Sequence, residues 1–366
     1  MVKQKISTRN SNIELLRILA MFFIVISHAC FHSGFDTSSK PFFNSLVVQW
    51  GVLGNLGVDI FVLITGYFLC VKPANHKSFG KLFVQLYFYS ILIFFVCMFC
   101  FGYTYSLRAV LTAFLPTIFA EYWFFTAYLI LALISPYLNI LISNASRKQM
   151  EKFIVVLLII WVLIPTFTKQ GFFAGEIPQF IMFYMIGAYF RNYPDNFLKN
   201  KLYRTLLTIS SFALLFLSTF VLDFLGTKIA LFQNRGIMFY NRNSLLVVGC
   251  AVGLFTLAIY RKSFSNSFIN LIAGCTFGIY LIHDNPATRD IIWKNLIRLS
   301  EYFESPWLLI MVLGAAIAVF STSALIELLR QITIEKPMIH AFEICYNKLA
   351  NFIKTIFGKK HLENKV

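Results

Sequence analysis

Residues 13–31 read IELLRILAMFFIVISHACF, an apolar run broken only by Glu14, Arg17 and Ser27 before His28. A helix needs about 20 apolar residues to cross the hydrocarbon core of a bilayer. In lipid, every backbone N–H and C=O must find its partner within the segment, so a run of this kind is expected to be helical. Lys3, Lys5 and Arg9 precede it, and no small-residue cleavage site follows. It therefore reads as a retained first span rather than a signal peptide.

Outward from this run, similar stretches recur along the chain. The expected spans are 13–31, 48–71, 80–102, 122–143, 152–168, 176–190, 203–223, 243–260, 268–284 and 306–329, the fifth, sixth and ninth being short for a full crossing. Hydrophobic residues make up 58% of the 366 and charged residues 13%, about half the charge of a soluble domain. Forty-two Phe, 17 Tyr and 5 Trp are too many for one or two water-soluble cores. The expected fold class is all-α, a polytopic integral membrane bundle of about ten transmembrane helices. No internal repeat suggests two inverted halves, which counts against a secondary transporter.

The net charge of +16 comes from 32 Lys and Arg against 16 Asp and Glu. Nucleic-acid binders gather such residues on one polar face, whereas here they sit singly or in small groups between apolar runs, so no nucleic-acid partner is expected. With the N-terminus in the cytoplasm, 22 of the basic residues fall in inner segments and 9 in outer ones, with Arg17 inside a span. The positive-inside rule then favours both termini in the cytoplasm, with membrane lipid as a partner. Residues 1–330 are expected to form the transmembrane domain and 331–366 a cytoplasmic basic tail. In that tail Met338, Phe342, Cys345, Leu349, Phe352, Ile353 and Ile356 recur at helical spacing, with Lys348, Lys354, Lys359 and Lys360 elsewhere, as in an amphipathic helix on the inner leaflet. The seven Cys fall mostly in apolar runs without zinc spacing, and Cys97-x-x-Cys100 reads as two small hydrophobes. No metal is expected.

Ionisable groups inside a bilayer cost at least a few kcal/mol and so mark function by default. Arg17 and His28 are eleven residues apart, which is about 16 Å along a helix and close to three turns, placing both on roughly one face. The bland alternative is that Arg17 snorkels to the inner headgroups and His28 sits at the outer interface. Asp59 lies near the middle of the second run and needs a partner unless it is neutral, with Arg17 and His28 the nearest candidates in sequence; a role in helix packing alone is the alternative. His283 and Asp284 close the ninth run with Arg289 just beyond, three polar groups at one depth that suggest the wall of a site. Glu327 stands one turn from Arg330 and reads as an interfacial ion pair. His32, His76, His340 and His361 are given no role. Trp50, Trp161, Trp293 and Trp307 fit an interfacial belt; Trp123 fits one too, or forms with Tyr122 and Tyr128 an aromatic platform for a sugar ring.

Four segments in order carry a resemblance. Arg17-x10-His28; Gly57-Val-Asp59-Ile-Phe-Val-Leu-Ile-Thr65-Gly66-Tyr67; Tyr122-Trp123-Phe-Phe-Thr126-Ala-Tyr128 with Ser135-Pro136 and Asn139; and Gly278-Ile-Tyr280-Leu-Ile-His283-Asp284-Asn285-Pro286 together resemble the membrane-bound acyltransferase 3 family, in its polysaccharide O-acetyltransferase branch. Many relatives carry a Glu in the fourth-span motif and a C-terminal extracytoplasmic esterase-like domain, neither of which is seen here, so the transfer is expected to be completed within the bundle.

The resemblance implies an enzyme that moves an acyl group, most simply acetyl, from acyl-coenzyme A to a hydroxyl of a glycan or lipid-linked oligosaccharide, in a bacterial plasma membrane making capsule or exopolysaccharide. Such a transfer needs a base and an oxyanion stabiliser. An imidazole titrates near neutrality, which makes His28 the candidate base or acyl carrier. Arg17 is the candidate to hold the acetyl-CoA donor. Asp59, Trp123, Tyr128, Tyr280, His283, Asp284 and Arg289 are candidates for substrate binding. No Ser or Cys stands in a nucleophile elbow. A polysaccharide flippase or polymerase, or a proton-coupled transporter relaying through Asp59 and His28, are the rival readings.

Overall fold

The computed structural model describes residues 9–36, 42–73, 76–104, 106–168 and 175–363. The expectations for Lys3, Lys5, Lys40, Lys169 and Lys365 lie outside the described residues, as do the side chains of His76, Ile353, Lys354, Ile356, Lys359, Lys360 and His361. Among the described residues there are helices and no strands. The helices are α1 (Ser11–His32), α2 (Phe42–Trp50), α3 (Gly54–Leu69), α4 (His76–Phe101), α5 (Leu107–Phe114), α6 (Trp123–Asn144), α7 (Arg147–Leu158), α8 (Ile164–Thr168), α9 (Glu176–Asn192), α10 (Lys201–Gly226), α11 (Leu245–Ile259), α12 (Ser267–His283), α13 (Pro286–Asp290), α14 (Leu308–Thr333) and α15 (Glu335–Glu363).

Each apolar run read from the sequence is occupied by a helix, and the chain is an all-helical polytopic membrane bundle. Among the described residues, seven helical segments are long and apolar enough to cross a membrane. The second of them joins α2 and α3 into Phe42–Leu69, and the fifth joins α7 and α8 through a π-helical turn, Ile159–Leu163. An eighth forms if α12 is counted with Pro286–Tyr302, beyond a bend of 79°. The sixth and eighth runs hold the shorter α9 and α11, of 17 and 15 residues.

Short and central go together here. The bundle's core is α1, which packs on α3, α11, α12 and α14, together with α9, which packs on α3. Phe180, Met182, Phe183, Tyr184 and Met185 of α9 are all fully buried. The outer helices turn apolar side chains outward, as Leu206, Ile209 and Leu217 do on α10 and Leu309, Ile310 and Ile332 on α14. That is the surface a lipid-facing helix must present, since lipid and Leu are equally apolar. Close crossings depend on missing side chains. A Cβ at Gly57 would strike the Ala20 carbonyl of α1, and one at Gly66 would strike the Tyr184 backbone of α9.

Two expectations are corrected. Glu327 and Arg330 pair as expected, but inside the protein rather than exposed: both are buried, and Arg330 forks onto Glu327 at 2.9 and 2.8 Å while its Nη2 also reaches Glu335 at 2.6 Å. Tyr89 of α4 donates to Glu327 at 2.7 Å. The reason is that α15 folds back on α4: Phe342 lies against Gly80, and Lys81 pairs with Glu335 at 2.8 Å and Lys77 with Glu343 at 3.4 Å. Trp293 is no belt residue either, because the chain bends after α12 and carries it inward, fully buried, in the π turn Ile291–Ile297. Cys97 is buried and Cys100 exposed, with no disulfide between them, in keeping with two small hydrophobes.

Candidate active site

Two parallel helices set the site. At one end Ser11 of α1 hydrogen-bonds the start of α12, donating its N–H to Phe264 O at 2.8 Å and sharing a 2.9 Å bond with Asn270. Ser11 also accepts from the N–H of Asn266 at 2.7 Å, a separation of 255 residues. The same separation of 255 recurs at the other end, where His28 Nδ1 lies 3.0 Å from His283 Nε2. Seventeen residues of each helix, about 25 Å, thus run side by side in one register. Asn10 caps the start of α1, its side chain accepting from the Asn12 N–H at 3.1 Å.

The chain turns immediately after His283. Asn285 caps α13, accepting the Ala287 N–H at 2.9 Å, and Pro286 takes the first helical position, where no N–H is needed. The Asn285 amide also donates to the Tyr122 hydroxyl at 2.7 Å, and that hydroxyl donates to Leu281 O at 3.2 Å. Arg289 reaches back to Asp284, at 2.8 Å to its carboxylate and 3.0 Å to its carbonyl. This closed turn fixes Asp284 beside the histidines: its Oδ1 stands 3.5 Å from His28 Nδ1 and 4.0 Å from His32 Nε2.

The tautomers follow from this network. His283 Nδ1 lies 2.5 Å from the Ile279 carbonyl, which can only accept, so Nδ1 carries the proton. A neutral His283 then offers Nε2 as an acceptor, and His28 Nδ1 donates to it. His28 is left with the lone pair on Nε2, the arrangement of a base whose far nitrogen is held by a partner. Asp284, itself engaged by Arg289, stands on the Nδ1 side of His28, away from that lone pair.

His28 lines a cavity of about 350 Å³, with His32, Trp123, Tyr280, Asp284 and Arg289 in the same wall. Arg17 lines a second cavity of about 190 Å³, with Thr65, Tyr128, Thr276 and Tyr280. Met21, Phe124 and Tyr280 line both, so these three side chains stand between the cavity at the Arg17 end and the cavity at the His28 end of the bundle. Arg17 is half-buried, 3.9 Å from Glu14, and its Nε has no hydrogen-bond partner. Glu121, on the loop ahead of α6, is raised above the ordinary carboxylate range by its own burial, against the pull of the Arg289 charge.

The sequence candidates are thus divided between two chambers. His28, Asp284, Arg289 and Trp123 line one, with His283 fully buried behind His28; Arg17 and Tyr128 line the other, and Tyr280 belongs to both. Asp59 joins neither, and the expectation that Arg17 or His28 would pair with it is corrected: neither of its carboxylate oxygens has a hydrogen-bond partner, and the charge acting on it is Arg242. Helix geometry explains this. Gly57 faces α1, and Asp59 is 200° further round at 100° per residue, on the face of Leu63 and Gly66 that meets α9. The three-ring platform is also corrected. Trp123 and Tyr128 open into different cavities, and Tyr122 is buried with its hydroxyl engaged. Trp123 is instead covered by Arg242, whose guanidinium lies 4.7 Å from the ring and pairs with Glu176 at 3.1 Å.

Sequence reasoning passed over His32, although its place four residues after His28 puts both on one helix face. His28, His32 and Asp284 are the described residues that could hold a metal ion, with ligand atoms within 4.8 Å of one another. Arg289 already engages that carboxylate, and its positive charge opposes a cation there.

Compared with known proteins, the chain matches a family model described as an acyltransferase domain (acyltransferase 3) over residues 10–327, from the cap of α1 to the buried Glu327 of α14. No curated protein and no solved structure matches it.

Proposed function

The chain belongs to the acyltransferase 3 family, and from that premise we propose that it moves an acetyl group from acetyl-coenzyme A to a hydroxyl of a cell-surface polysaccharide or its lipid-linked precursor. The observation that carries this reading is the pair of adjacent cavities that share three lining side chains, with a cation on one and an oriented imidazole on the other. Coenzyme A is anionic and polar along much of its length, and Arg17 offers a guanidinium with an unpartnered Nε to it. The His28 cavity presents a base, a polar wall and the half-buried Trp123 ring, the equipment for a sugar hydroxyl. Tyr128 then borders the donor chamber, while His283, Asp284 and Arg289 orient the base.

In this reading the Arg17 end and both termini face the cytoplasm of a bacterial cell, where the donor is made, and the His28 end faces outward. Residues 1–330 form the catalytic bundle and 331–366 a cytoplasmic tail against the inner leaflet. Capsule or exopolysaccharide is the acceptor class. Transfer of radiolabelled acetyl from acetyl-CoA to glycan, by membranes containing the chain, is the deciding measurement. Transfer that depends on the chain and on His28 is expected. A flippase, polymerase or proton-coupled transporter would leave the label in coenzyme A.

A further inference from the structure

We propose that the phenol of Tyr280 is the donor that stabilises the oxyanion of the transferred acyl group, an inference that rests on the acyl-transfer reading above. Tyr280 is 4% exposed, and its hydroxyl has no hydrogen-bond partner. A buried hydroxyl without a partner destabilises the fold, so its retention calls for a ligand that completes it. Among the described residues, it is the one unpartnered buried polar side chain that lines both cavities. The other two side chains that line both cavities, Met21 and Phe124, offer no donor.

Its position also suits the chemistry. A donor held at Arg17 and an acceptor held at His28 lie on either side of Met21, Phe124 and Tyr280, so in the proposed reaction the thioester carbonyl comes up beside these three side chains. The phenol is rigidly aimed. Its ring meets Tyr122 and Phe124 edge-on, with centroids 5.9 and 5.8 Å away, and stacks on Phe277 at 6.3 Å. The neighbouring Tyr122 hydroxyl is already engaged with Leu281 and Asn285 and is not free for this role.

In the step, the acceptor hydroxyl oxygen bonds to the thioester carbon while His28 Nε2 takes its proton. The carbonyl π pair moves onto oxygen, and Tyr280 O–H donates a hydrogen bond to that oxyanion without losing its proton. Collapse of the intermediate expels the coenzyme thiolate, which takes the proton back from His28. A preorganised donor in a dry site gains more from developing charge than it would in water.

The test compares wild type, Tyr280→Phe and 3-fluorotyrosine at position 280 in membranes of the native host lacking its own copy, with radiolabelled acetyl-CoA as the probe. Phe keeps the ring packing and removes only the hydroxyl. It is expected to lower kcat per membrane-inserted chain by about 10²–10³-fold, with the KM for acetyl-CoA unchanged within about twofold. Fluorotyrosine keeps a stronger donor and is expected to retain wild-type kcat within about threefold. The proposal is overturned if Tyr280→Phe turns over within about threefold of wild type, as it would if the phenol met only a structural water, or if fluorotyrosine loses as much as Phe. Absence of acetyl-CoA-dependent transfer by wild type overturns the function reading itself, and with it this role; that outcome is distinct from an active wild type with an active Phe variant.

Discussion

His28 owes its proposed reactivity to what holds its other nitrogen, since the chain from Ile279 O through His283 to His28 fixes which atom keeps a lone pair. Removing a positioned acid–base group typically lowers the rate by about 10²–10⁴-fold, so His28→Ala is expected to abolish glycan acetylation while the protein still inserts and still binds coenzyme. Normal acetylation at wild-type expression would move the assignment to His283. Arg17 is given a different step. Lys keeps the charge but loses the planar fork, so Arg17→Lys is expected to keep part of the activity with a raised donor KM, and Arg17→Ala much less. Trp123→Phe is expected to weaken glycan binding and to spare the donor KM; equal loss of both would reduce the ring to packing. Arg17, His28 and the His283–Asp284 pair were legible in the sequence because ionisable groups are costly in lipid and therefore conspicuous. The partner of Asp59 was not legible, because choosing it requires knowing which neighbour lies 200° round α3 from Gly57. His32 was legible by its spacing from His28 and still passed over.

Helices were readable one at a time because a bilayer forces each apolar run to satisfy its own backbone, and so the ten runs are ten helical stretches. What was not readable is what one helix does to another. Glu327 and Arg330 read as a surface pair until α15 and Tyr89 of α4 close over them. Breaking a buried ion pair from one side leaves an uncompensated charge and costs about 3–5 kcal/mol, whereas replacing both partners with apolar or neutral groups is often nearly neutral. Arg330→Ala is therefore expected to lower the thermal stability of the detergent-solubilised protein sharply. Glu327→Gln combined with Arg330→Met is expected to recover most of that loss. Unfolding followed by size-exclusion fluorescence reads both. If the double variant is as unstable as the single one, the network supports the fold through its hydrogen bonds rather than through charge balance.

At the scale of the whole molecule, the two cavities give the bundle a direction. A base at one end and a donor-holding cation at the other are useful only if coenzyme arrives from the Arg17 side and the glycan from the His28 side. The distribution of charge supports that sense, with 22 of 32 basic residues in segments assigned to the cytoplasm. Labelling can test it directly, in a background where the exposed Cys100 and Cys345 are replaced by Ser. Lys148 follows the α6–α7 corner and Lys228 the end of α10, and both are exposed. The proposed orientation puts the first inside the cell and the second outside. Lys228→Cys is expected to react with an impermeant thiol reagent on intact cells, and Lys148→Cys only after the membrane is opened. The reverse pattern would turn the donor chamber outward, away from the cytoplasmic coenzyme pool, and the Arg17 cavity could then no longer serve acetyl-CoA.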